Sequence, residues 1–292
     1  HVFVLDMQAG KIPEDEAAQR IATAAAGAGL SLSEPVEGKV NLTATHGGLL
    51  VVDTNALYRI NEIEDVMFAT LHTHHAVEAG RSVAGTRIIP LFTDEARIAA
   101  VERVCRESFP VIQIKRFTPL KVGIVTTGSE IYRGRIEDKF GPVLREKFAA
   151  LGCSVTEQIF VSDDIGMTVA AIETLIRGGA ELIAVTGGMS VDPDDQTPAS
   201  IRAAGGRVVT YGAPVLPGAM FMLAHINDVP VLGLPGCVMY YKASIFDLVV
   251  PRLLAGETVT RAPSGARGPG GFCAGCPDCR NPIGAVGTGP GR

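Results

Sequence analysis

Lys121-Val122-Gly123-Ile124-Val125-Thr126-Thr127-Gly128-Ser129-Glu130 starts as a short apolar run and ends in hydroxyls, a glycine and a carboxylate. The run from Lys121 to Val125 reads as a short buried strand of a parallel sheet. The same rhythm repeats downstream. Ile136, Phe140, Val143, Leu144 and Leu151 mark one face of a helix that Gly152 ends. Val155 to Val161 is a second strand, and Ile165, Val169, Ile172 and Ile176 form a second helical stripe stopped by Gly178-Gly179. Leu182 to Val185 is a third strand, Thr197 to Ala204 a third helix, and Val208 to Tyr211 a fourth strand. Phe221 to Ile226 and Val229 to Leu234, joined at Asn227-Asp228, form a hairpin. A last helix runs from Val238 to Leu254 and kinks at Pro251. Strands alternating with helices predict an α/β fold, a mostly parallel sheet flanked by helices with right-handed crossovers.

Outward from this region the pattern changes on both sides. Residues 1–117 read as an N-terminal α+β domain. Glu14 to Ala28 is a helix, with Pro13 near its first position and Gly27 and Gly29 at its end. Val40 to Val52 alternates around Gly47-Gly48 as an antiparallel hairpin does. Ile63, Val66, Leu71 and Val77 sit near helical spacing and stop at Gly80. That reading puts His72, His74 and His75 on a helix, with His72 and His75 sharing a face; a groove or interface role is the default and a metal site the alternative. Val83 to Leu91 is a strand, Thr93 caps a helix carrying Ile98, Val101 and Cys105, and Val111 to Ile114 is a strand. The α/β domain spans 118–261. Residues 262–292 are a Gly/Pro-rich tail without apolar periodicity, which cannot bury a core alone. In that tail Cys273, Cys276 and Cys279 have the spacing of zinc or iron–sulfur ligands, though a complete site needs a fourth. Labile thiols and a remnant motif are the other readings.

The composition bounds the class of function. The 292 residues, 47% hydrophobic and 20% charged, fit two folded domains rather than a disordered chain. Aromatics are 5% and Trp is absent, so the core is aliphatic. A net charge of −5 offers no basic face for a nucleic-acid backbone. Mean hydropathy is +0.26, yet charges, Gly or Pro break every long apolar stretch, so no membrane-spanning segment is expected. The scattered Cys105, Cys153 and Cys237 fit reduced thiols, and with no secretory segment the expected location is cytoplasmic. The chain opens on His1 rather than Met, which leaves room for an upstream piece.

In an open α/β sheet, ligands bind beyond the carboxyl ends of the strands. Four segments follow those ends: Thr126-Thr127-Gly128-Ser129-Glu130, Ser162-Asp163-Asp164, Thr186-Gly187-Gly188-Met189-Ser190, and Leu234-Pro235-Gly236. Glycines after a buried strand let the backbone approach an anion, although Gly-Gly alone reads first as a plain tight turn. The run Asp192, Asp194 and Asp195 behind it, with Asp163 and Glu130 expected nearby, suits Mg²⁺ bridging carboxylates and phosphate. The alternative is a solvated loop in which Asp195 caps the helix opening at Thr197-Pro198. Arg133 and Arg135, in the loop after the first strand, are candidates for contacts to a ligand phosphate, or ordinary surface charge.

These motifs, in this order and at strand ends, resemble the molybdopterin-binding domain shared by molybdenum-cofactor biosynthesis proteins, including the enzymatic parts of gephyrin. The resemblance covers Lys121 to about Arg261, and the whole chain is most similar to stand-alone bacterial and archaeal members. It implies a pterin phosphate against Thr186-Gly187-Gly188, with Thr126, Gly128, Ser129, Ser190, Pro235 and Gly236 lining the ligand. It also implies that Glu130, Asp163 and Asp195 handle metal, molybdate or nucleotide. The expected function is molybdopterin binding in molybdenum cofactor biosynthesis, with Mg²⁺-dependent nucleotidyl transfer from ATP, or molybdate transfer, as the reaction. A non-catalytic carrier and a nucleotide-pyrophosphate hydrolase are the alternatives, and a homo-oligomer is expected. Two departures bear on the reaction: Leu216-Pro217-Gly218-Ala219-Met220 lacks the basic residues of molybdenum-inserting members, and Met189-Ser190 stands where adenylating members continue Thr-Gly.

Overall fold

The computed structural model describes residues 9–190, 192 and 195–260. They form two compact units, the first running to Arg116 and the second starting at Phe117. The tail cysteines Cys273, Cys276 and Cys279 lie outside the described residues.

The first unit contains, in order, β1 (Lys11–Pro13), α1 (Glu14–Ala25), β2 (Leu30–Leu32), β3 (Lys39–Ala44), β4 (Gly48–Val52), α2 (Thr54–Asn61), β5 (Val66–Thr70), β6 (Ala76–Val77), β7 (Ser82–Ile88), β8 (Phe92–Asp94), α3 (Glu95–Glu107) and β9 (Ile112–Lys115). Its ladders are β1-β8, β2-β3-β7-β5 and β6-β4-β9. The buried face of α1 is Ala17, Ala18, Ile21, Ala22 and Ala25. Four alanines let this helix lie close over β3, β7 and α3, whose Leu42, Ile88 and Ile98 are fully buried. Each of those large side chains contributes roughly 1.5–3 kcal/mol through burial.

Three expectations for this unit are corrected. β3 and β4 are not a hairpin: β3 pairs with β2 and β7, and β4 pairs with β6 and β9. Gly48 lets β4 press on β9, where a Cβ would stand 2.9 Å from Ile114 Cγ2 and closer still to the Lys115 carbonyl oxygen. The segment read as a helix from Ile63 to Val77 holds β5 instead, in which Val66 and Phe68 are buried and Met67 and Ala69 less so, the two-residue period of a strand. The helix lies upstream as α2, capped by the Asp53 carboxylate, which accepts from the Ala56 N–H at 2.9 Å. His72, His74 and His75 therefore sit in the loop between β5 and β6, with the His72 and His75 ring centres 6.1 Å apart. Asp94 rather than Thr93 occupies the cap position of α3; the Thr93 hydroxyl donates to Asp65 at 2.9 Å.

The second unit contains β10 (Lys121–Thr127), α4 (Ser129–Tyr132), α5 (Phe140–Ala150), β11 (Ser154–Val161), α6 (Ile165–Arg177), β12 (Leu182–Thr186), α7 (Thr197–Ala203), β13 (Arg207–Tyr211), β14 (Met222–Ile226), β15 (Val229–Leu234), α8 (Cys237–Tyr240) and α9 (Ile245–Leu254). Its sheet runs β11-β10-β12-β15-β14-β13, with the first four strands parallel and β14 antiparallel to both neighbours. This is the α/β fold expected: a mostly parallel sheet flanked by helices. Alternation splits the strands between two cores. Val122, Ile124, Leu182 and Ala184 pack with α5 and α9 through Leu144, Phe148 and Phe246. Val125, Ile183 and Val185 pack with α6 and α7 through Ala171, Ile172, Leu175 and Ile201. The hairpin at Asn227-Asp228 is present, with Asn227 at φ +52° as such a turn requires. The expected last helix is two helices. Ser244 and Asp247 form a capping box that starts α9 afresh. Ile136 lies ahead of α5, exposed, and the Asp138 carboxylate accepts from the Phe140 and Gly141 N–H groups that open that helix. Among the described residues no helix is long and apolar enough to cross a membrane.

Candidate functional site

The ladder registers bring the strand-end motifs together. Thr126 pairs with Thr186, Thr127 with Val161, and Thr186 with Leu234. The segments after β10, β11, β12 and β15 therefore emerge side by side along one carboxyl edge of the sheet.

The turn after β12 is the tightest part of that edge. Gly187 (φ +85°) and Gly188 (φ +51°) both take left-handed backbone, which favours glycine. A Cβ on Gly187 would stand 2.5 Å from Thr127 Oγ1 and closer still to the Thr127 carbonyl oxygen. The turn is tied to α7: the Thr197 hydroxyl donates to the Gly187 carbonyl at 2.8 Å, and the Thr197 N–H to the Gly188 carbonyl at 3.3 Å. Met189 turns inward and is buried against Gly233. Ser190 is exposed at the rim.

The two threonines of β10 face opposite ways, as strand neighbours do. Thr126, expected among the ligand contacts, is 1% exposed. Its hydroxyl accepts from Gln158 Nε2 at 2.9 Å and from the Thr186 hydroxyl at 3.4 Å, inside the structure. Thr127 is 6% exposed, and its hydroxyl has no hydrogen-bond partner among the described residues. It lies against Gly187. A buried hydroxyl left unpaired costs roughly 1–3 kcal/mol. This is the residue the sequence reading passed over; two-residue alternation from buried Val125 was the signal for it.

The carboxylates organise loops rather than converging. Asp163 Oδ2 accepts from the Ser129 N–H at 2.9 Å, and the Ser129 and Ser162 hydroxyls are 2.8 Å apart. Gly128, at φ +147°, lets the chain leave β10 for this contact. Asp195 Oδ2 accepts from the N–H groups of Ser190 at 2.6 Å and Asp192 at 3.2 Å. Asp195 thus ties Ser190 and Asp192 to the start of α7, where Gln196 holds the cap position. Asp164 caps α6, accepting from the Met167 N–H at 2.7 Å. Glu130 is exposed on α4, and Arg133 and Arg135 are exposed in the loop behind it. Among the described residues no three His, Cys, Asp or Glu come together as ligands for a metal ion. Asp163, Asp195 and Glu130, expected to share Mg²⁺, form no such group among the described residues. After β15, Pro235 is buried, Gly236 is exposed at the start of α8, and burial pushes the Cys237 thiol pKa up. In the lysine-free turn, Gly218 (φ +133°) packs on α9, where a Cβ would lie 2.5 Å from Ile245 Cβ.

Comparison with known proteins gives this edge a context. Residues 123–255 match the family model described as a probable molybdopterin binding domain. The chain is similar to a molybdopterin molybdenumtransferase of Synechococcus elongatus, 24% identical over 184 residues that cover 60% of this chain and 46% of that protein. It is also similar to a molybdopterin adenylyltransferase of Pyrococcus furiosus, 32% identical over 92 residues that cover 32% of this chain and 54% of that protein. The chain thus spans about half the length of these curated relatives. Among solved structures, the molybdopterin biosynthesis enzyme MoaB of Thermus thermophilus matches 47% of this chain and 98% of its own, at 22% identity and a TM-score of 0.40.

Proposed function

We propose, from the match of residues 123–255 to the model of a probable molybdopterin binding domain, that this chain binds molybdopterin at the carboxyl edge formed by β11, β10, β12 and β15, and serves molybdenum cofactor biosynthesis. The pterin phosphate lodges over Gly187 and Gly188, and the Thr127 hydroxyl donates to one of its oxygens. Ser129 and Ser190 flank it on loops that Asp163 and Asp195 hold. Gly128 and Gly236 leave room where the chain turns from strand to helix. The single observation that carries this reading is Thr127, a buried hydroxyl kept unpaired against a turn that admits no side chain. A ligand oxygen there removes the cost of the orphaned group.

Binding stands ahead of transfer in this reading. The turn at Leu216-Pro217-Gly218-Ala219-Met220 carries no lysine and is packed onto α9 at Gly218, and the Asp163 and Asp195 carboxylates accept loop N–H groups. The residues present bind and orient an anion; no proton or group transfer follows from them. Anaerobic calorimetry with the full chain is the test. Molybdopterin gives saturable heat, and its dephosphorylated pterin binds at least ~10-fold more weakly, equivalent to ~1.4 kcal/mol. No heat, or equal affinity for the two, overturns the proposal. An adenylation assay with ATP, Mg²⁺ and molybdopterin separates carrier from enzyme, since turnover excludes a pure carrier.

A further inference from the structure

We propose that Gln158 is a positioning residue for the phosphate site, acting through Thr126 and Asp138 without touching the ligand; this inference rests on the molybdopterin reading above.

Gln158 lies half-buried on β11, the edge strand, where Thr156 and Phe160, two residues to either side, are exposed. Its amide nitrogen has two protons, and both are placed. One goes to Thr126 Oγ1 at 2.9 Å and the other to Asp138 Oδ2 at 2.6 Å. Arg145 holds the other end of the amide, donating to Oε1 at 3.3 Å and fixing which way the group points. Thr126 in turn receives the Thr186 hydroxyl at 3.4 Å. Thr126 and Thr186 immediately precede Thr127 and Gly187, the two residues that meet at the proposed phosphate position. One side chain therefore reaches the Thr127 arm through Thr126 and the Gly187 arm through Thr126 and then Thr186.

The second proton ties in the loop after α4. Asp138 ends that loop and accepts the N–H groups of Phe140 and Gly141, so Gln158 links the start of α5 to the end of β10. The packing is close enough to dictate a residue type. A Cβ on Gly141 would stand 2.5 Å from Asp138 Oδ2 and 2.5 Å from Gln158 Oε1. Here the Thr126 hydroxyl accepts an N–H from Gln158, a bond that an ionised glutamate, which only accepts, cannot make in that direction.

The test is anaerobic calorimetry with molybdopterin on the full chain, with unfolding followed in parallel. Gln158→Leu is expected to weaken binding at least ~10-fold, a ~1.4 kcal/mol change. Gly141→Ala, whose Cβ displaces both the Gln158 amide and the Asp138 carboxylate, is expected to weaken binding, and the unfolding followed in parallel reads the cost of loosening the start of α5. Gln158→Glu carries the readout that a merely structural role would not move. The introduced carboxylate lies beside Asp138 and shares a proton with it at low pH, as close carboxylate pairs do. Its affinity relative to the wild type is then near one at about pH 5 and at least tenfold lower at about pH 8. Wild-type binding combined with undiminished binding by Gln158→Leu, or with a pH-independent ratio for Gln158→Glu, overturns this inference alone. No heat with the wild type overturns the molybdopterin reading and this inference together.

Discussion

Two glycines of the second unit share a backbone conformation and differ in their surroundings. Gly187 has φ +85° and Gly179 has φ +87°. Placing alanine at either asks an L-residue to take left-handed backbone, which costs roughly 1–2 kcal/mol. Around Gly179, exposed after α6, a Cβ meets nothing within 4 Å, so strain is the whole effect there. At Gly187 the Cβ meets the Thr127 hydroxyl at 2.5 Å and, closer still, the backbone carbonyl of Thr127, the last residue of β10, which its pairing with Val161 of β11 holds in place. Relief requires β10 and the turn to separate, an overpacking cost of about 1–3 kcal/mol. The sum is about 2–5 kcal/mol for Gly187→Ala against about 1–2 kcal/mol for Gly179→Ala. In thermal unfolding monitored by circular dichroism, at roughly 3 °C per kcal/mol, the first loses about 6–15 °C and the second about 3–6 °C. Equal losses for the two variants would refute the close approach of turn and strand on which the site is built.

The remaining predictions concern both units. Asp195→Ala strips the acceptor from the Ser190 and Asp192 N–H groups; it costs about 1 kcal/mol in urea unfolding, as expected for an exposed loop, and weakens molybdopterin binding about tenfold in calorimetry. Undiminished binding removes the 190–195 loop from the site. In the first unit Arg20 donates to the Glu102 carboxylate at 2.8 and 3.1 Å and holds its pKa below the ordinary 4.5. A lowered carboxylate pKa gives stability that is present above the ordinary value and is lost as pH falls through the folded one. Unfolding of Glu102→Gln across about pH 3 to 7 therefore shows a shallower acid decline than the wild type, and identical declines would contradict the assignment.

The second unit was readable because each of its signals is local. The residues of β12 are buried throughout, α6 repeats its apolar stripe, and Asn227-Asp228 marks its own turn. In the first unit the alternation of Lys39–Ala44 and Gly48–Val52 is real, but nothing near it tells that β7 and β9 are the partners. The missed break before α9 did have a local signal, since Ser244 and Asp247 spell a capping box. At the site, the clustering of glycines and hydroxyls on one edge was legible in the sequence. The division of labour was not. Thr126 and Thr127 are chemically alike, and only the strand's facing separates the one bonded to Gln158 from the one left unpaired. Likewise an aspartate at position 163 or 195 reads equally as metal ligand or loop brace until its N–H donors are seen.

The direct measurement is Thr127→Val, with stability and molybdopterin affinity determined on the same full-length preparation. Valine keeps the shape and removes only the orphaned hydroxyl. If that hydroxyl is held for a ligand, the variant is as stable as the wild type or about 1 kcal/mol more stable, and it binds molybdopterin at least tenfold more weakly. A variant that loses stability while binding molybdopterin as the wild type does would contradict a phosphate site at Thr127 and Gly187.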